Sequence, residues 1–172
     1  MAYTYSKIAT YTVGSGGVAS IDFIAIPQNY TDLVILVSLR STRATFANSS
    51  ARVYFNNSTS GFSTRDLLGN GSTTASSSYS DAPLIYIPAS GATASTFGNA
   101  YVYIPNYTGS NNKSYSVDYV AETNATTIDA QGFDAALWSN ISAITSIKMT
   151  EANGQSFAQY STAHLYGIKA EL

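Results

Sequence analysis

The sequence contains no cysteine, and this absence removes several classes of structure and chemistry at once. Disulfide frameworks, thiolate metal sites and cysteine nucleophiles are all excluded. Small secreted domains usually carry disulfides, so the absence also argues against a eukaryotic extracellular module. A chain of 172 residues is long enough to bury a core without cross-links. We therefore expect a single domain spanning residues 1–172.

Charged residues are scarce as well, at 10% of the chain against about 25% in ordinary soluble domains. The formal net charge is −2 and no basic run interleaves with aromatic residues, so we predict no nucleic-acid partner. The chain is instead rich in tyrosine, with 14 copies, whose apolar rings and polar tips suit protein interfaces. Because low charge leaves little repulsion between copies, the composition favours a homo-oligomer.

Long hydrophobic runs are also missing. The longest, Leu33 to Val37, is far shorter than the roughly 20 residues of a membrane-spanning helix. The N-terminus lacks a charged start followed by an apolar core, so no signal peptide is visible. We predict no membrane partner and synthesis in the cytoplasm. The sequons that begin at Asn106 and Asn112 then lack a route to the glycosylation machinery.

What the sequence has in place of these features is period-two alternation broken by turn clusters, which is typical of strands. Residues 113–122 alternate cleanly, with Tyr115, Val117 and Tyr119 on one face. Residues 32–40 are apolar on both faces, which predicts a central strand covered on both sides. About ten such strands predict an all-β, antiparallel, jelly-roll-like β-sandwich.

Two segments depart from this alternation. Residues 134–139 predict one short helical turn, which Asp134 would cap and which would bury Leu137 and Trp138. Trp138, the only tryptophan, is expected to fill the core. Residues 56–81 are mostly Ser, Thr, Gly and Asn, which predicts a long polar loop, and loops of that length are commonly functional or disordered.

Few residues carry the chemistry of a catalytic or metal site. The single histidine, His164, has no ligand spacing around it, and we expect it to be half-buried in a strand. Asp118 and Glu122 share a strand face but lie about 13 Å apart, wider than the roughly 5–9.5 Å of a glycosidase pair. Asp129 or Asp134 could come closer from a neighbouring strand, which the sequence leaves open. We predict that the protein is not an enzyme and binds no cofactor or metal.

Arginine is concentrated in the first half of the chain, at Arg40, Arg43, Arg52 and Arg65. With few acidic residues available, these side chains either contact carboxylates or carbonyl groups across an interface, or lie as ordinary solvated side chains. The candidate interface residues, tyrosines included, are Arg43, Arg52, Arg65, Tyr79 and Tyr107.

Several stretches together resemble a domain that recurs in virion proteins of tailed bacteriophages, notably those that infect aquatic bacteria. The similar stretches are IPQNYTDLVILVSLRS, FSTRDLLGNGS, YIPNYTGSNNKSYSVDYVAETNAT, LWSNISAITSIKM and YSTAHLYGIK. They are spread from Ile26 to Lys169. They consist of strand ends and turns, and none is a catalytic signature.

The resemblance implies a jelly-roll-like sandwich displayed on the outside of a particle, usually as an oligomer, for which we expect a homotrimer. Such domains are often attached to longer fibre or tail chains. This sequence enters its first strand almost directly at Met1, which favours a free-standing capsid decoration or cement protein. The partners would be the major capsid protein or tail proteins. The alternative is a tail fibre adhesin that recognises a carbohydrate, a glycan of the host surface.

Overall fold

A computed structural model describes residues 3–124 and 130–170, and this part of the chain consists of strands and turns without a helix. The strands are β1 (Tyr3–Thr12), β2 (Ser20–Phe23), β3 (Asp32–Leu39), β4 (Asn48–Phe55), β5 (Phe62–Gly69), β6 (Thr74–Tyr79), β7 (Ile85–Pro88), β8 (Gly98–Ile104), β9 (Lys113–Ala121), β10 (Ala130–Trp138), β11 (Ile147–Glu151) and β12 (Thr162–Ala170). The predicted all-β class is confirmed.

The strands form two antiparallel sheets. Eight of them pair in the order β1-β12-β3-β8-β9-β10-β5-β6, and four pair in the order β2-β11-β4-β7. The two sheets enclose a cluster of buried apolar side chains to which both contribute. The molecule is therefore a β-sandwich in which each sheet turns one face toward the other. β1 and β6 are the outer strands of the larger sheet.

The alternation in β9 places side chains as the sequence predicts. Tyr115, Val117 and Tyr119 are buried between the sheets, and Asp118 points outward and is exposed. This period-two pattern needs one dry face and one wet face, which a strand in a two-layer sandwich provides.

β3 lies inside the larger sheet, between β12 and β8, as expected for its apolar sequence. The prediction that both of its faces are covered is wrong at Leu36, which is 37% exposed. The four-stranded sheet covers the face that carries Leu33, Ile35 and Val37. Val34, on the same face as Leu36, is buried between its register neighbours Tyr103 and Tyr166, so large side chains of adjacent strands cover it.

An aromatic cluster joins the two sheets. The Phe55 ring lies 5.0 Å from that of Tyr115 and 5.6 Å from that of Trp138, both in edge-on arrangements, while Phe62 stacks on Trp138 at 6.0 Å. Trp138 is 1% exposed, which confirms its predicted place in the core. Such ring pairs add about 0.5–1.5 kcal/mol each beyond their apolar burial.

The predicted helical turn at residues 134–139 is wrong, because residues 134–138 belong to β10. β10 is paired along its whole length, with β9 on one side and β5 on the other. Two ladders of backbone hydrogen bonds outweigh the small helix preference of a few alanines. Asp134 therefore does not cap a helix but is fully buried between the sheets.

The predicted loop at residues 56–81 is also wrong, because most of it is the hairpin formed by β5 and β6. Asn70 closes the turn, as its side-chain oxygen accepts hydrogen bonds from the backbone amides of Ser72 and Thr73 at 3.1 and 2.8 Å. β6 is exposed nearly throughout, so it needs no apolar residues and shows no alternation. Pairing with β5 alone fixes it as a strand.

Candidate functional site

The face of the eight-stranded sheet that points away from the four-stranded sheet, hereafter the outer face, presents side chains in rows that cross the strands. The central row consists of Thr10, His164, Leu36, Tyr101, Asp118, Phe133, Leu67 and Ser76. One flanking row consists of Lys7, Tyr166, Val34, Tyr103, Ser116, Ala135, Arg65 and Ser78. The other consists of Thr12, Thr162, Ser38, Asn99, Val120, Gln131, Gly69 and Thr74.

Large apolar side chains on the outer face are exposed. Phe133 and Leu67, direct neighbours across β10 and β5, are 51% and 57% exposed, and Val120 is 41% exposed. Side chains paired in this way have β-carbons about 4.5–5.5 Å apart, so they form one continuous apolar surface. This exposed apolar surface makes the outer face the candidate binding surface of the molecule.

A groove of about 400 Å³ lies beside Phe133 on the outer face. Its lining residues are Leu67, Leu68, Gly69, Thr74, Asn99, Asp118, Tyr119, Val120, Gln131, Gly132 and Phe133. Gly69 presents no side chain, and the Gln131 side chain lies over it. Asp118, Asn99 and Gln131 supply polar groups at its walls, and partial burial raises the pKa of Asp118.

The opposite end of the outer face is rich in tyrosine. The Tyr5 and Tyr101 hydroxyl groups lie 3.4 Å apart, and the Tyr5 ring meets that of Tyr166 edge-on at 6.5 Å. Burial and the hydrogen bond with Tyr5 raise the pKa of Tyr101, so its hydroxyl group stays neutral. Tyr103 donates a hydrogen bond to Asp32 at 2.9 Å. These rings offer apolar surface without adding charge.

The three predicted interface arginines all make contacts within the chain. Arg52 pairs with Asp81 at 3.0 Å and also donates to the carbonyl oxygen of Ala82. The Arg43 guanidinium lies 3.6 Å from the centre of the Phe46 ring, a cation–π contact. The expectation that arginines meet carboxylates or carbonyl groups thus describes Arg52. It also describes Arg40, which donates to the carbonyl oxygens of Thr93 and Thr96 at 2.9 Å, but all these partners belong to this chain.

Arg65 is exposed on the outer face, where its guanidinium donates a long hydrogen bond of 3.3 Å to the Thr64 carbonyl oxygen. Of the predicted interface residues, it lies closest to the exposed apolar side chains, because it is two positions along β5 from Leu67.

The two predicted interface tyrosines point inward. The Tyr79 hydroxyl accepts a hydrogen bond from the backbone amide of Leu84 at 3.0 Å, and burial raises the pKa of Tyr79 to about 12. Tyr107 is fully buried and donates to the Pro27 carbonyl oxygen. Placing Tyr107 at an interface is therefore wrong, because a tyrosine ring in a loop can bury itself when its hydroxyl finds a backbone acceptor.

The carboxylates considered as a catalytic pair are not brought together. Asp118 lies on the outer face, whereas Asp134, on the neighbouring strand, points into the sandwich. Glu122 is exposed and accepts a hydrogen bond from the Asn124 amide at 2.6 Å. Asp129 lies outside the described residues. The carboxyl group nearest to Asp134 in register is that of Asp66 on β5, a pairing that the sequence did not reveal.

His164 is half-buried in β12, as predicted, and its ring nitrogen Nδ1 lies 3.1 Å from the Thr10 hydroxyl. Within residues 3–124 and 130–170, no three His, Asp or Glu residues are grouped so that they could hold a metal ion. The same residues include no helix long and apolar enough to cross a membrane.

Sequence reasoning missed Leu67 and Phe133 because both lie in segments that were not recognised as strands. A signal existed at Val120. Ser114, Ser116 and Asp118 mark the outward face of β9, and the next outward position is the apolar Val120. An apolar residue that continues a polar series indicates an exposed apolar site on that face.

Comparison of the chain with protein-family models, with curated protein sequences and with solved structures finds no match.

Proposed function

We propose that the chain is a non-enzymatic structural protein of a bacteriophage virion, a capsid decoration protein that binds the assembled shell as an oligomer. In this proposal it is made in the host cytoplasm, has a jelly-roll-like topology, forms a homotrimer and contacts the major capsid protein. The sequence resemblance to phage surface domains supports the viral assignment. The exposed apolar side chains of the outer face, Phe133, Leu67 and Val120, support the assignment to assembly. They are the observation that carries the proposal.

The outer face suits repeated contacts between identical copies or with a shell lattice. Phe133, Leu67 and Val120 would leave water on contact, and each fully buried side chain of this kind contributes about 1.5–3 kcal/mol. Lys7 and Arg65 lie on strands near opposite ends of one flanking row, and Asp118 lies in the central row, so few charges are desolvated. A symmetric lattice repeats these contacts, which turns modest pairwise affinity into stable attachment.

A second candidate function, a tail adhesin that binds host glycan, is favoured by the groove beside Phe133. Asp118 lies in register between Tyr101 on β8 and Phe133 on β10. Aromatic faces next to carboxylate and amide groups, here those of Asp118, Asn99 and Gln131, offer both the stacking and the hydrogen bonds that sugars use.

The test is where the chain sits on purified phage particles whose genome encodes it. We expect many copies over the capsid shell, located by immunogold electron microscopy and quantified by mass spectrometry. Purified protein added to particles that lack it should co-sediment with intact capsids. The Leu67→Ser variant should bind them about tenfold more weakly, because it removes one aliphatic side chain from the contact.

Ile141→Ser is the matched control, since Ile141 is an exposed aliphatic residue outside the strands, and this variant should bind like the wild type. Detection at the tail alone would overturn the capsid assignment. Glycan-array binding by the wild type that is lost in Phe133→Ala would then assign the chain to the adhesin class.

A further inference from the structure

Two carboxyl groups, one fully buried and one half-buried, meet on the inward side of the larger sheet where β5 and β10 pair. Asp66 and Asp134 are direct register partners across these strands. Asp134 is fully buried, and neither of its carboxylate oxygens accepts a hydrogen bond from a donor among the described residues. Leaving a buried carboxylate charged and unpaired costs several kcal/mol. The group must therefore lose its charge or share a ligand with its neighbour.

The strand that carries Asp134 has small inward residues on both sides of it. β10 turns Ala130, Gly132 and Ala136 inward around Asp134. The Tyr119 ring lies across Gly132, where a β-carbon would collide with it. The Tyr119 hydroxyl lies 3.4 Å from one oxygen of Asp66, and the Ser77 hydroxyl donates to the other at 3.2 Å. Asp66 thus has donors around it, whereas Asp134 has only Asp66.

This asymmetry indicates which carboxyl group carries a proton. Two carboxylates can form a hydrogen bond with each other only when one of them is protonated. Burial, followed by the hydrogen bond and the charge of Asp66, raises the pKa of Asp134 to about 8. Asp66 accepts hydrogen bonds from Ser77 and Tyr119, so its oxygens already act as acceptors.

We propose that Asp66 and Asp134 form one proton-binding site. The protonated Asp134 carboxyl group donates a hydrogen bond to the Asp66 carboxylate and so links β5 to β10. The proton is part of the folded structure at neutral pH. Its loss places a second negative charge between the two strands and weakens the attachment of the β5–β6 hairpin. The inference does not depend on the proposed function.

The groups around the pair do not supply a positive charge that could replace the proton. The titratable and charged groups that face it are Asp66, Tyr79, Tyr115 and Tyr119, with Tyr54, Asp81, Arg52 and Tyr86 behind them. Arg52 is already paired with Asp81. The Tyr115 hydroxyl is buried without a hydrogen-bond partner among the described residues. Ionisation of Asp134 would therefore meet like charge and neutral phenols.

The raised pKa of Asp134 determines how the stability of the protein changes with pH. Asp134 has an ordinary pKa of 3.8 when unfolded and about 8 when folded. At a pH between these two values, folding therefore takes up about one proton. The protein should lose stability steadily as the pH rises through this window. The loss should level off above pH 8, where both states are deprotonated.

The experiment is thermal unfolding of the wild type and of Asp134→Asn across this pH range. Asparagine is isosteric and neutral and can still donate to Asp66. We expect the wild-type Tm to fall with rising pH, and the Tm of Asp134→Asn to be nearly constant and higher than that of the wild type above pH 8. Asp22→Asn, which removes an exposed carboxylate from the other sheet, should keep the wild-type slope.

Carboxyl carbon NMR of the wild type gives an independent measurement should Asp134→Asn fail to fold. It should show one carboxyl titrating near 8, and Asp66→Asn should move this midpoint to lower pH by removing the neighbouring charge. A flat wild-type Tm or an unchanged slope in Asp134→Asn would overturn the proposal. So would a Tm increase caused by Ca²⁺ or Mg²⁺ in the wild type but not in Asp134→Asn, because the site would then hold a cation.

Discussion

At the scale of single residues, Asp134 and Glu151 are two buried carboxyl groups whose surroundings move their pKa values in opposite directions. Burial alone would raise the pKa of Glu151, but hydrogen bonds from Ser49, Gln155, Asn153 and Ser41 outweigh it and lower the pKa below its ordinary value of 4.5. The backbone amides of Asn153 and Gln155 donate to it at 2.7 and 2.8 Å. Glu151 is therefore buried as a charge, and Asp134 as a neutral acid.

Replacing Glu151 by Gln should cost about 2 kcal/mol of unfolding free energy at neutral pH, because a buried charged acceptor of several hydrogen bonds is lost. The contribution of Glu151 is present above pH 4.5 and is lost as the pH falls through its lowered folded pKa. The difference between wild type and Glu151→Gln in urea unfolding should therefore shrink in acid.

Glu122→Gln serves as the comparison, since Glu122 is exposed and accepts a hydrogen bond from the backbone amide of Asn124. It should change the unfolding free energy by less than about 0.5 kcal/mol. If Glu151→Gln were equally harmless, the hydrogen bonds to Glu151 would not stabilise the turn that follows β11.

At the scale of strands, the sequence was sufficient where apolar and polar residues alternate in step with the dry and wet faces of the strand. β9 is the clearest instance, because Tyr115, Val117 and Tyr119 alternate with polar residues. The pattern fails in β10, where Ala135 and Ala136 favour a helix locally and only pairing on both sides imposes a strand. It also fails in β6, where both faces are exposed and no alternation is required.

The candidate site was harder to predict than the strands, because the type of a side chain does not determine whether it lies in the core or on the surface. Arg65 was chosen for its side-chain chemistry and does lie on the outer face. Tyr107 was chosen in the same way and is buried, because tyrosine suits a core as well as an interface. The pairing of Asp66 with Asp134 depends on the register of β5 and β10, and register is not visible when neither segment is recognised as a strand.

Strand position also predicts where the molecule opens first. β6 pairs with β5 on one side only, and its residues are nearly all exposed, whereas β3 pairs on both sides and is mostly buried. Hydrogen exchange measured by mass spectrometry should therefore label residues 74–79 well before residues 32–39. The free energy of local opening is small where few apolar contacts are lost.

The exchange comparison has a control within the same sheet. β1 is the other outer strand but packs Ile8, Ala9 and Tyr11 against the core, so it should exchange more slowly than β6. Protection of β6 equal to that of β3 would contradict this order and would indicate that β6 pairs with another chain in solution, as unpaired edge strands can.

At the scale of the whole molecule, charge and apolar surface favour association together. A net charge of −2 and a charged fraction of 10% provide little long-range repulsion between copies. The outer face adds the exposed pair of Phe133 and Leu67. Attraction between copies should then be hydrophobic, and this can be distinguished from an electrostatic attraction by its response to salt.

Sedimentation velocity at low and high salt should show association of the wild type that added salt does not weaken, because screening acts on charges and not on apolar contacts. The double variant Leu67→Ser/Phe133→Ser should associate at least about tenfold more weakly, since each lost side chain removes about 1.5–3 kcal/mol of burial. Ile141→Ser removes an equally exposed aliphatic residue outside the outer face and should associate as the wild type does. Association that disappears in high salt would instead point to the charged residues of this face, Lys7, Arg65 and Asp118, as its cause.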